Sequence, residues 1–195
     1  MARGVYVPRL DCMPGSGLSI PNLITLARIL LVPVVVWAIA SNHMLFAFLL
    51  FAAAGVSDAI DGFLAKRFGM ASELGAYLDP LADKVLIVSI YVSLGIVDGL
   101  PRWLVILVVS RDLLIVGGVL FSWLIGKPVS VKPHPVSKLN TAAQLLLVGL
   151  VLAALGFGFD AGWALTLMVA AVAALTLMSV ALYLREWIRH MGVVP

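Results

Sequence analysis

Six apolar stretches of about twenty residues each constrain this chain more than any other feature. They run over 22–40, 44–66, 77–97, 102–125, 138–157 and 161–188. Each has the length needed to cross the hydrocarbon of a bilayer as a helix. In lipid a backbone must satisfy its own polar groups, which leaves the helix as the economical answer for separate apolar runs. The segments between them are built from turn formers: SNH at 41–43, DGLP at 98–101, GKPVSVKPHP at 126–135 and GFGFDAG at 156–162. Composition agrees. Hydrophobic residues make up 63% and charged residues 12%, against about 45–50% and about 25% in soluble domains. The expectation is an all-α integral membrane protein with six transmembrane helices.

Placement of cations orients such a bundle. Nine of the thirteen Lys and Arg fall on one side, Arg102 alone falls on the other, and Arg28, Lys84 and Arg111 lie within spans. The positive-inside bias then puts both termini in the cytoplasm. Residues 1–19 hold Arg3, Arg9, Asp11, Pro8 and Pro14 and lack the apolar core of a signal peptide, so they read as an interfacial arm ahead of one catalytic domain over 20–195. The single Cys12 excludes an internal disulfide, and a net charge of +3 gives no reason to expect nucleic acid as a partner.

Against this apolar background, SDAIDGFLAKRFGMASELGAYLDPLADK at 57–84 holds Asp58, Asp61, Asp79 and Asp83, four of the ten acidic residues. Asp58 and Asp61 are three apart at the cytoplasmic end of the second helix, and Asp79 and Asp83 are four apart at the start of the third. Residues so spaced share a helix face. With 67–75 as a loop between antiparallel helices, the two faces converge. An ionised Asp within a span costs about 2.5–3.5 kcal/mol, and like charges at close range add to that. Hard divalent cations, Mg²⁺ or Mn²⁺, suit carboxylate oxygens, and two ions balance four acids. Soft ligands for zinc are absent from the stretch. Gly62, Ala65 and Gly75 leave room for a close approach, and Lys66 and Arg67 can meet phosphate oxygens. Solvated interfacial acids are the bland alternative, and a proton relay or a cation path is a rival. A transporter, however, would spread ionisable groups through several helices at mid-membrane, whereas these gather at one edge. A non-catalytic scaffold leaves them unexplained.

At these residues the sequence resembles the CDP-alcohol phosphotransferases, whose signature is D-x2-D-G-x2-A-R-x8-G-x3-D-x3-D. Asp58, Asp61, Gly62, Ala65, Gly75, Asp79 and Asp83 match, and Lys66 stands where the signature has Arg. IPNLITLAR at 20–28 resembles the family's first helix. The resemblance implies a six-helix homodimer with a polar cavity open to the cytoplasm. It implies two divalent ions on Asp58, Asp61, Asp79 and Asp83, with Asp83 also the catalytic base. The CDP group would lie against Asn22, Thr25, Asp58, Asp61, Gly62, Ala65, Lys66, Arg67 and Gly75, and the acceptor against Arg28, Arg111 and Lys138. The implied reaction joins an acceptor hydroxyl to the phosphatidyl group of CDP-diacylglycerol and releases CMP. LADKVLIVSIYVSLGIVDGLP, VVSRDLL and VSKLNTAAQLLLV resemble cardiolipin synthases of the mitochondrial type, which some bacteria carry in the inner membrane and which use phosphatidylglycerol. The phosphatidylglycerophosphate synthases, which use glycerol 3-phosphate, share much of this pattern. They tend to carry a second Arg two turns beyond Arg111, where this chain reads LLIVGGVLFSW with no cation. For Arg111 an ion pair, with Asp112 or with a motif aspartate, is an equal alternative to acceptor binding.

Overall fold

The structure, a computed structural model, describes the backbone over 20–68, 73–124 and 135–190, and side chains over 27–58, 84–118 and 135–188. All described regular structure is helical, in six elements: α1 Ile20–Ala40, α2 Met44–Phe68, α3 Glu73–Ile96, α4 Arg102–Leu124, α5 Pro135–Phe157 and α6 Gly162–His190. Three starts, those of α1, α3 and α5, fall earlier than the apolar runs suggest. Glu73 opens α3, where an acid in the first turn complements the helix dipole. Pro135 opens α5, where its missing N–H costs nothing and its fixed φ favours the helix. Of the expected loop over 67–75, residues 67 and 68 belong to α2 and residues 73–75, Gly75 included, to α3, while 69–72 lie outside the described residues.

Three tight turns close the same way. Asn42 (φ 60°), Asp98 (φ 56°) and Gly158 (φ 70°) each adopt the left-handed conformation just past a helix end. The next N–H then reaches back five residues: His43 to the Ala38 carbonyl at 2.8 Å, Gly99 to Leu94 at 2.8 Å and Phe159 to Ala154 at 3.1 Å. This captures carbonyls that a helix end otherwise leaves without a donor. The turns gather at one end of the bundle. A Cβ at Gly99 would sit 3.3 Å from the Leu155 side chain, and the Phe48 and Phe157 rings meet edge to face at 5.6 Å. Gly156 is where α5 and α2 come closest: a Cβ there would lie 2.8 Å from Leu45 Cα and 2.9 Å from Leu45 N. Backbone atoms cannot swing aside, so Gly156→Ala is expected to cost about 1–3 kcal/mol, seen as a lower unfolding midpoint in detergent.

The helices pack as a closed ring that does not follow chain order. Among the described residues α1 touches α2 and α3, α2 touches α5, α5 touches α6, α6 touches α4 and α4 touches α3, with α3 and α5 also meeting across the interior. The described parts of α2 and α3 do not touch, because α1 packs against both. Val35, Ile39, Ile90, Leu94, Leu104 and Leu147 fill the apolar half of the interior. Outside, Leu30, Ile106, Leu113, Leu146 and Trp163 stand exposed, while Arg28, Arg111, Asp112, Asn140 and Gln144 are buried. Apolar groups outward and ionisable groups inward is the arrangement lipid favours. Among the described residues, Pro135–Phe157 and Gly162–Ile188 are each long and apolar enough to cross a membrane, and Ala27–Ala40, Met44–Asp58 and Lys84–Ile96 form shorter apolar helices.

Candidate functional site

Asp58 lies on α2 and Arg28 on α1, and the two meet. Arg28 Nη2 donates to Asp58 Oδ1 at 2.8 Å, with Arg28 only 5% exposed and Asp58 53% exposed. The first helix is thereby tied to the first aspartate of the motif by an ion pair that only the aspartate side shows to solvent. The carboxylate keeps an accessible face, and its donors are the hard oxygens that Mg²⁺ or Mn²⁺ accepts. That chemistry fits the implied ions. Among the described residues no three His, Cys, Asp or Glu side chains come together. The side chains of Asn22, Thr25, Asp61, Gly62, Ala65, Lys66, Arg67, Gly75, Asp79 and Asp83 lie outside the described residues. Their backbones place Asn22 and Thr25 early in α1, positions 61, 62, 65, 66 and 67 in the last third of α2, and positions 75, 79 and 83 in the first half of α3.

A second polar centre is fully described. Arg111 on α4 is 2% exposed. Its Nη1 donates to Asp112 Oδ1, its Nη2 to Ser137 Oγ on α5, and its Nε and Nη2 to Ser179 Oγ on α6 at 3.2 and 2.9 Å. The Tyr183 ring stacks beneath the guanidinium at 5.9 Å. Asp112, 6% exposed, is shared, for Lys84 Nζ on α3 donates to both of its oxygens at 2.9 Å. The ion-pair alternative for Arg111 is thus what the geometry contains, and an anion at this position has to share the guanidinium with Asp112, Ser137 and Ser179. Lys138, by contrast, is exposed at the start of α5.

Deeper in the ring, Thr176 Oγ1 donates to Asn140 Oδ1 at 3.0 Å and the Tyr91 hydroxyl to the Gln144 carbonyl at 3.3 Å. Among the described residues, Asn140 Nδ2 and both polar atoms of the Gln144 amide are buried without a hydrogen-bond partner. These residues, and the serines on Arg111, were not among the sequence candidates. Their signal was present. Ser137, Asn140, Thr141 and Gln144 repeat at helical spacing along α5, and Thr176, Ser179 and Tyr183 do so along α6. Two polar stripes on otherwise apolar helices must face each other or lie unpaired in lipid.

Comparison with known proteins gives this geometry a context. The model of the family described as CDP-alcohol phosphatidyltransferase matches residues 18–187. A rice (Oryza sativa subsp. japonica) chloroplastic CDP-diacylglycerol–glycerol-3-phosphate 3-phosphatidyltransferase 1 is 41% identical over 160 residues, covering 73% of this chain and 49% of its own. A human (Homo sapiens) cardiolipin synthase (CMP-forming) is 37% identical over 157 residues, covering 72% of this chain and 52% of its own. A Bacillus subtilis (strain 168) CDP-diacylglycerol–glycerol-3-phosphate 3-phosphatidyltransferase is 33% identical over 150 residues, covering 69% and 76%. The chain thus spans about half the length of the rice and human relatives it matches.

Proposed function

Because this chain belongs to the CDP-alcohol phosphatidyltransferase family, we propose that it transfers the phosphatidyl group of CDP-diacylglycerol to the hydroxyl of a glycerol-type acceptor and releases CMP. The observation that carries this reading is the complete spacing of four aspartates on α2 and α3, with Asp58 held beside Arg28. The favoured acceptor is phosphatidylglycerol, which gives cardiolipin. Glycerol 3-phosphate is the second reading, favoured by the rice relative, whose name specifies that acceptor.

In the proposed reaction the acceptor oxygen forms a bond to the phosphatidyl phosphorus as the bond to the CMP oxygen breaks, and the hydroxyl proton passes to the Asp83 carboxylate. Asp58, Asp61, Asp79 and Asp83 would hold two Mg²⁺ or Mn²⁺ ions, which when bound supply the positive charge that a diphosphate and a departing CMP require. Asn22, Thr25, Gly62, Ala65, Gly75 and the cations Lys66 and Arg67 line the CDP position, together with Asp58 and Asp61. Arg28, Arg111 and Lys138 supply positive charge toward the acceptor, Arg111 through the field of its buried cluster. All six helices span the bilayer in this reading, with both termini and the aspartates at the cytoplasmic face of a bacterial inner membrane, in a homodimer.

The test offers CDP-diacylglycerol to the purified chain with phosphatidylglycerol and with glycerol 3-phosphate in parallel, and identifies the lipid formed. Cardiolipin and CMP are expected, with both lost in EDTA and restored by Mg²⁺ or Mn²⁺. Phosphatidylglycerophosphate without cardiolipin would transfer the assignment to the second acceptor, and turnover in EDTA would remove the metal from the scheme.

A further inference from the structure

Lys84 directly follows Asp83, the last aspartate of the motif. A cation at that position has two uses. It can neutralise the acids, or it can turn away from them. Consecutive side chains leave a helix axis about 100° apart, and the structure shows where this one goes. Lys84 Nζ reaches α4 and donates to Asp112 Oδ1 and Oδ2 at 2.9 Å each. The anchor on the far side is stiff. Asp112 is also held by Arg111, and Arg111 is held in turn by Ser137 and Ser179 on α5 and α6. A chain of charge-assisted hydrogen bonds therefore runs from the motif end of α3 through α4 into the third hairpin. The Lys84 side chain is 35% exposed and that of Asp112 8%, so this pair is better defined than a mobile surface contact.

We propose that Lys84 and Asp112 are positioning residues for the proposed reaction. Their tether sets the rotation of α3 at the turn carrying position 83, and it withdraws from the four aspartates the cation adjacent to them in sequence. Group transfer is sensitive to such placement, since misplacement of a reacting group by about 1 Å can cost about 10²-fold in rate. The inference rests on the phosphatidyl-transfer reading, and its test separates the two.

Lys84→Met removes the tether and leaves the Arg111–Asp112 pair in place. Lys84→Arg keeps a donor that can fork onto Asp112. In the full-length protein in nanodiscs, Lys84→Met is expected to lower kcat about 10–100-fold, as loss of a supporting partner typically does. KM for CDP-diacylglycerol and the unfolding midpoint should stay near wild type, and Lys84→Arg should restore most of the rate. Amide hydrogen exchange over residues 79–84 should quicken in Lys84→Met and not in Lys84→Arg. Wild-type kcat in Lys84→Met overturns the proposal. So does a raised KM at unchanged kcat, which would make Lys84 a direct substrate ligand, and so does unchanged exchange. Should Lys84→Met not fold, Lys84→Leu, which likewise removes the donor, is read the same way. If wild type itself releases no CMP with any acceptor, the functional reading falls alone, and the exchange measurement decides the tether.

Discussion

Asp83→Asn is expected to lower CMP release from CDP-diacylglycerol by about 10²–10⁴-fold, the range a positioned general base contributes. The substitution keeps shape and volume and removes the oxygen that would take the acceptor's proton. Position 83 lies in α3 one residue before the Lys84 anchor, so the helix that presents it remains held and the unfolding midpoint should not fall. Rates with phosphatidylglycerol and with glycerol 3-phosphate should fall together, because the base serves whichever hydroxyl attacks. A variant that turns over at the wild-type rate would end the assignment of Asp83 as the base.

Asp112→Ala should have the largest effect on stability. It strips the shared acid from between Arg111, 2% exposed, and Lys84. Removing one partner of a buried pair costs about 3–5 kcal/mol, because the remaining charge stays desolvated without its counterion. Lys84→Met should cost far less, since Arg111 and Asp112 still neutralise each other. Unfolding of both variants in the same detergent gives the comparison. Equal stability of Asp112→Ala and wild type would mean that the guanidinium reaches another acid when Asp112 is gone.

The helix count was legible because every apolar run is bounded by turn formers, and the described helices follow the runs to within a few residues. Glu73 and Pro135 extend α3 and α5 for reasons of first-turn chemistry that a hydropathy reading does not weigh. The order of helices in space was not legible. Nothing in an apolar stretch says which other apolar stretch it will meet, and the contacts of α1 with both α2 and α3 among the described residues follow from packing. The four aspartates stand out in the sequence because acids are costly in lipid, and of these the structure describes the Asp58 side chain. Arg28 and Arg111 stand out for the same reason, and their partners, Asp58 and Asp112, are acids within reach. Ser137 and Ser179 escaped notice because a hydroxyl can satisfy itself on its own helix, so one serine in an apolar run signals little. Only the paired stripes on α5 and α6 carry that information.

The order of packing around the ring has a consequence for how the protein is made. Among the described residues, the contacts within the first four helices run in the order α2–α1–α3–α4. α5 and α6 bridge the two ends of that order, α5 meeting α2 and α6 meeting α4. They also bring the serines that receive Arg111. A chain interrupted before residue 135 lacks the Ser137 and Ser179 hydroxyls and leaves Arg111 with Asp112. The described hydrogen bonds of the buried guanidinium are therefore complete only once α5 and α6 have both been made.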